Sequence, residues 1–249
     1  MVFMSALANF LGDVADLDSV KRALEGIEAV YINLATENPR AEFLPELEGT
    51  KAVIQASEGN KDVLIAKISG LTVDEKGTFP ANKIKKQAEE TIIASGHPYL
   101  IFRPSWFFES LSRFIMKGKF MIIGRQPQKI YWIAGDDYGR MISSALKKGI
   151  TNRIYFIQGK EALTFDEAAS RFLKAADLDA KISHVPLFVF GLMGIFNPQM
   201  KHIYETMSFF NRFPERLIGQ NAWEELAEPQ MSVEQYTEYM KETDDISSN

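Results

Sequence analysis

The sequence predicts an α/β fold: an incomplete doubly wound parallel sheet with a smaller mixed C-terminal portion. Three observations carry this. Apolar runs of strand length recur at 29–34, 62–69 and 99–102, helical-period stripes separate them, and small or polar residues follow each run. Strands alternating with helices require crossover connections, which give a parallel sheet covered on both faces.

Taken in order, Val20, Ala23, Leu24 and Ile27 recur at helical spacing and stop near Gly26. Residues 29–34 (AVYINL) read as a buried strand, 40–57 as a long helix and 62–69 as the next strand. Ile84, Ala88 and Ile92 sit four apart, so 81–95 is a one-sided helix with Gly96 as its stop. Tyr99 to Phe102 forms another strand, ended by Arg103 and Pro104. Beyond it the alternation loosens into a short strand at 129–133, a helix marked by Tyr138, Met141, Ile142, Ala145 and Leu146, and a strand at 154–157. Thr164 and Glu167 make a capping box for a helix whose apolar face is Phe165, Ala168, Ala169, Phe172, Leu173 and Ala176. Pro186 to Phe196 is an uncharged apolar run, read as a buried or partner-facing helix. Ser232 and Gln235 make a second capping box, with Tyr236, Tyr239 and Met240 as the buried stripe of a last helix, and 244–249 are expected to fray.

Composition narrows the chemistry. Apolar residues at 46% and charged residues at 24% describe a folded globular chain. The absence of cysteine excludes disulfides, thiolate metal sites and a cysteine nucleophile. With neither a secretory leader nor a bilayer-spanning run in view, the expectation is a cytoplasmic protein without a membrane partner. Eight acids against Lys241 in 223–249 account for the net charge of −5. Nine Lys and Arg between Arg113 and Arg153 do not make the clustered stripe of a nucleic-acid binder. Both charge clusters read as solvated surface.

Motifs remove more. No two glycines are two apart, so no dinucleotide loop is present in the sequence. Gly191 and Gly194 lie three apart inside the apolar run, where close helix packing explains them. Neither Gly118-Lys119 nor Gly159-Lys160 continues into Ser or Thr, which excludes a P-loop. His97, His184 and His202 are dispersed and form no metal motif, and there is no Gly-x-Ser-x-Gly elbow. What remains is positional: in an open parallel sheet small molecules bind beyond the carboxyl ends of the strands. Those ends are Gly12-Asp13, Asn33 to Thr36, Ser69-Gly70 and Arg103 to Trp106.

The run Ala66 to Gly70 (AKISG), then Lys85 to Glu90 (KKQAEE), then Ala94 to Pro104 (ASGHPYLIFRP) with Phe107 and Glu109, resembles the NmrA-like family of atypical short-chain dehydrogenase/reductases. Gly12 to Asp16 and Gly26 to Val30 are similar to that family from its third to its fourth strand, and Trp132, Ile133 and Asp137 to a later segment. The resemblance covers about residues 10–180. It implies NAD(P)H across the strand tips, with the C-terminal part closing over a small-molecule substrate. Known members include reductases of quinones and related molecules, and redox-sensing regulators that bind cofactor without turnover. By position, Asp13 lies near the adenine, Asn33, Leu34, Ala35 and Thr36 along the dinucleotide, and Ser69 and Pro104 near the nicotinamide. Lys85 matches the cofactor-contacting lysine, and Lys85 and Ser69 are the candidate catalytic residues.

Departures shape the expectations. The sequence starts close to the family's third strand, so a truncated nucleotide domain over 1–135, a substrate portion over 136–249, impaired cofactor binding and self-association through the exposed sheet edge are expected. Four residues before Lys85 stands Ala81, and four before Lys83 stands Phe79, so no tyrosine acid accompanies the lysine. Any hydride chemistry then calls for an acceptor, such as a quinone, that takes its proton from water. Without ligand, Lys85 equally suits an ion pair with Glu89 one helical turn on, and Ser69 equally suits a turn. The alternative functions are a non-catalytic sensor or partner-binding protein using 186–196, and an inactive truncated gene product.

Overall fold

The computed structural model describes residues 10–242. Asp16 caps α1 (Leu17–Ala23), which leads to β1 (Ala29–Ile32). Crossover helices follow in turn: α2 (Pro45–Ala56), β2 (Leu64–Ile68), α3 (Pro80–Ala94) and β3 (Tyr99–Pro104). Proline at the first position starts both α2 and α3, because its fixed φ suits that position and no N–H is needed there. The same rule corrects the helix expected from residue 40: it begins at Pro45, and 40–44 are a connection.

Two 3₁₀ turns lead into the hairpin β4 (Ile115–Met116) and β5 (Lys119–Ile123), then β6 (Ile130–Tyr131) and α4 (Gly135–Lys147). The chain returns to the sheet as β7 (Arg153–Ile157) before β8 (Ala162–Leu163), α5 (Phe165–Ala176) and β9 (Lys181–Val185). Helices α6 (Leu187–Met193), α7 (Pro198–Phe210), α8 (Gln220–Glu225) and α9 (Val233–Glu242) complete it.

The main sheet has the order β1-β2-β3-β7, with every pair parallel. Its fourth strand comes from the portion beyond residue 135. Alternation along β2 splits the core: Ile65 joins Val20, Ile32, Val53 and Ile92 beneath α1 to α3, while Ala66 joins Phe102, Tyr138, Met141 and Ile157 beneath α4 and α8. A third core, around Trp132, Phe120, Phe165 and Phe172, binds a second sheet, β4-β5-β9, to α5. Gly159 permits one close approach, since a Cβ there would sit 1.8 Å from the Trp132 carbonyl oxygen.

Both capping boxes form, Thr164 with Glu167 and Ser232 with Gln235. Close α6–α7 packing accounts for Gly191 and Gly194, whose Cβ atoms would meet Tyr204 and Lys201. Two expectations are corrected. In α9 the buried stripe is Val233, Tyr236 and Thr237, whereas Tyr239 is exposed, because the stripe follows three- and four-residue steps from Val233. For the apolar run the buried alternative falls: no residue of α6 is buried, and Phe188, Leu192, Met193, Ile195 and Phe196 are exposed. Among the described residues no helix is long and apolar enough to cross a membrane. The expected fraying at 244–249 lies outside the described residues, as does the start of the chain.

Candidate functional site

A cavity of about 630 Å³ opens at the carboxyl ends of β1, β2 and β3. Asn33, Ser69 and Pro104 line it, each just beyond or at the end of its strand. A neighbouring cavity of about 330 Å³ is lined by Ala35, Thr36 and Lys85 and shares Phe79, Asn82 and Thr206 with the first. Six of the eight residues assigned by position thus lie along one groove over the strand tips. Asp13 and Leu34 line neither cavity; Asp13 accepts from Ala15 N ahead of α1, and Leu34 packs against the α1–α2 core.

The polar groups in and behind the groove fall into two kinds. Lys67 is fully buried on β2, donating to Glu46 Oε1 of α2 and, at 2.7 Å, to its neighbour's carbonyl at Ile68. Burial lowers its pKa, against the pull of Glu46. Lys85 donates to both oxygens of the same carboxylate, at 3.0 and 3.1 Å. This corrects the Lys85–Glu89 pair: Glu89 instead takes the guanidinium of Arg103 from β3, a partner that helical spacing could not show.

Other buried polar atoms have no partner. Ser69 Oγ is one and Glu109 Oε2 is another, and both residues line the larger cavity. Glu109 Oε1 accepts the Gly135 N–H at 2.7 Å at the N-terminus of α4, where a carboxylate suits the helix dipole. Burial nonetheless pushes its pKa up, with Asp137 and Asp136 adding to the rise. A Cβ at Gly135 would lie 2.8 Å from Glu109 Oε1, so the contact needs glycine.

Phenols reach the cavity as well. Tyr31 of β1 and Tyr138 of α4, distant in sequence, share a hydrogen bond of 2.6 Å, and burial raises both pKa values. The expectation of a site without tyrosine holds at Ala81 and Phe79 but fails for the cavity as a whole, since β1 and α4 bring two phenols in from elsewhere. Trp106 makes ring contacts with Phe210 at 5.1 Å and Trp132 at 5.8 Å, forming an aromatic wall. His184 lies outside the cavity; it bonds the Gly124 carbonyl at 2.8 Å and Asp166 at 2.9 Å, a structural role. Among the described residues no group of three or more His, Asp or Glu is placed to hold a metal ion.

Sequence reasoning also missed Glu215. It lies on the connection between α7 and α8 and reaches the cavity wall through bonds from Ser105 and Gln158. Nothing in its local sequence, Phe213 to Arg216, signals a pocket. The fit to a pyridine nucleotide is partial. Ser69 Oγ is an unsatisfied donor at the tip assigned to the nicotinamide, while the described residues supply no glycine-lined phosphate cradle.

Residues 4–119 match the model of a family described as NAD(P)H-binding. The photosystem II assembly factor Ycf39 of Cyanophora paradoxa is 26% identical over 184 residues, 71% of this chain and 57% of that protein. The chain therefore spans little more than half of that relative's length. Among solved structures, the NADPH complex of the Escherichia coli quinone oxidoreductase QOR2 is similar with a TM-score of 0.68 and 17% identity, over 93% of this chain and 83% of that one. Bacillus cereus UDP-glucuronic acid 4-epimerase with UDP-glucuronic acid and NAD gives 0.68 and 17%, over 94% and 80%. At such identities the likeness is one of fold, a Rossmann-like parallel α/β architecture.

Proposed function

We propose that the chain is an NmrA-like, NAD(P)H-dependent oxidoreductase acting on a small organic acceptor such as a quinone. The observation that carries this is the cavity at the strand tips, where Ser69 Oγ and Glu109 Oε2 stand buried without partners beside an aromatic wall. Orphaned buried polar atoms are costly, and a ligand that bonds them recovers that cost. A reduced nicotinamide, when bound, supplies hydride. The chain's own part is to fix its amide end through Ser69, to hold a flat acceptor against Trp106 and Phe210, and to exclude water. Toward Ala35, Thr36 and Lys85 the groove continues in the direction the dinucleotide would take.

Calorimetric titration with NADH and NADPH, followed by quinone-dependent oxidation of the bound nucleotide, tests the reading. We expect saturable heat with at least one nucleotide, and turnover with a quinone. Absence of both with either nucleotide overturns it.

A second reading is a non-catalytic sensor or assembly protein. It is favoured by the exposed apolar side chains of α6 and of the turn after it, Phe188 to Phe196, and by the likeness to an assembly factor. Nucleotide binding without turnover would select it.

A further inference from the structure

Hydride transfer to a carbonyl carbon or to a quinone leaves a negative charge on oxygen that a proton must meet. Building on the oxidoreductase reading, we propose that Glu215 is the proton donor of the cavity and that Ser105 Oγ carries its proton to the acceptor oxygen. The step balances. The acceptor gains two electrons and one hydrogen as hydride from a reduced pyridine nucleotide, and a second hydrogen as the Ser105 proton. Ser105 regains a proton from Glu215 Oε2, and the resulting carboxylate is reprotonated from water.

The geometry is specific. Gln158, just past the end of β7, accepts the N–H groups of Ile218 and Gly219 on its side-chain oxygen, at 2.8 and 2.9 Å. Its amide nitrogen is thereby turned toward Glu215 Oε1, to which it donates at 2.6 Å, and the Tyr131 N–H donates to the same oxygen at 3.3 Å. Oε1 is thus occupied as an acceptor, which leaves the proton on Oε2, the oxygen 2.9 Å from Ser105 Oγ. Ser105 itself is fixed by its N–H to the Ile157 carbonyl at 2.8 Å, and it lines the cavity one residue beyond β3.

All three groups bonded to Glu215, the donors Gln158 and the Tyr131 N–H on Oε1 and the Ser105 hydroxyl at Oε2, are uncharged, so no cation holds it ionised. The other titratable or charged groups lining the cavity are Tyr31, Tyr138, Glu109 and Arg113. Burial is the largest influence on Glu215 and pushes its pKa up to about 7, where a proton can leave and return during turnover. The competing donors lack the relay: burial raises both phenols, and Glu109, raised by burial as well, has no hydroxyl within hydrogen-bond distance of its open Oε2 to pass a proton on.

The test has a spectroscopic arm and a kinetic arm. In infrared difference spectra of the nucleotide-free chain, a protonated-carboxyl band should titrate near neutrality, disappear in Glu215→Gln, and shift when benzoquinone is added. Ser105→Ala should keep the band and lose the shift. In quinone-dependent NADPH oxidation, kcat should fall on the alkaline side in the wild type. Glu215→Gln should lower kcat about 100-fold and flatten that limb, with Ser105→Ala in the same direction. Melting curves of both variants confirm folding. A missing band at neutral pH, or an alkaline limb that persists in Glu215→Gln or moves instead with Tyr138→Phe, overturns the proposal while nucleotide turnover leaves the functional reading standing. Failure to bind or oxidise either nucleotide overturns that reading and this proposal with it.

Discussion

At the smaller cavity Glu46 takes both Lys85 and the fully buried Lys67 behind it in a chain of ion pairs, while Ser69 and Glu109, at the larger cavity, keep buried oxygens without partners. Lys67 and Ser69 stand two residues apart on one strand exit, so burial alone does not distinguish them. What differs is satisfaction. A buried charge survives only when paired, and a small hydroxyl can be left open at the modest cost of one lost hydrogen bond. The closed end is architecture joining β2 to α2 and α3, and the open end has capacity for a ligand.

The largest break in that contrast is Glu46→Ala, which leaves Lys67 buried without a carboxylate. We expect a loss of about 3–5 kcal/mol in denaturant unfolding, with much of it restored in Glu46→Met/Lys67→Met, where no buried charge is left. Next is the pH dependence set by Glu215. Its folded pKa lies above the unfolded value, so its stabilisation is full below about pH 4.3 and declines as pH rises to about 7. Across that window stability should fall by about 2–3 kcal/mol, and the decline should be absent in Glu215→Gln. Ser69→Ala should change stability by less than about 1 kcal/mol, in either direction, while weakening nucleotide binding in the calorimeter. Equal losses in both measurements would place Ser69 with the architectural group. The smallest effect belongs to His184, whose pKa is raised by the Gly124 carbonyl and by Asp166. Its contribution is present below about pH 6.5 and lost as pH rises through its folded value, and His184→Gln should remove only that slight slope.

Legibility in the sequence followed the range of the interactions. The Ile84-Ala88-Ile92 stripe and Gly96 announce α3, and Thr164 with Glu167 announces α5, because capping and amphipathic periodicity act within a few residues. The parallel pairing of β5 with β9 has no such signal, since its partners are remote in the chain. The groove residues Asn33, Ser69 and Pro104 were legible as strand ends. Glu215 was not, since Gln158, Ser105 and Tyr131 meet it from three separate elements.

By itself the sequence determined the parallel α/β class, most crossover helices and the tips where a ligand can sit, since these rest on local propensity and hydrophobic period. Only the tertiary structure decided which polar groups are paired and which are open. It tied Lys85 to Glu46, joined Tyr31 to Tyr138, turned the apolar 186–196 run outward and brought Glu215 to the cavity. The reason is physical: the cost of a buried polar group depends on what lies within hydrogen-bond distance, and long-range folding sets that distance.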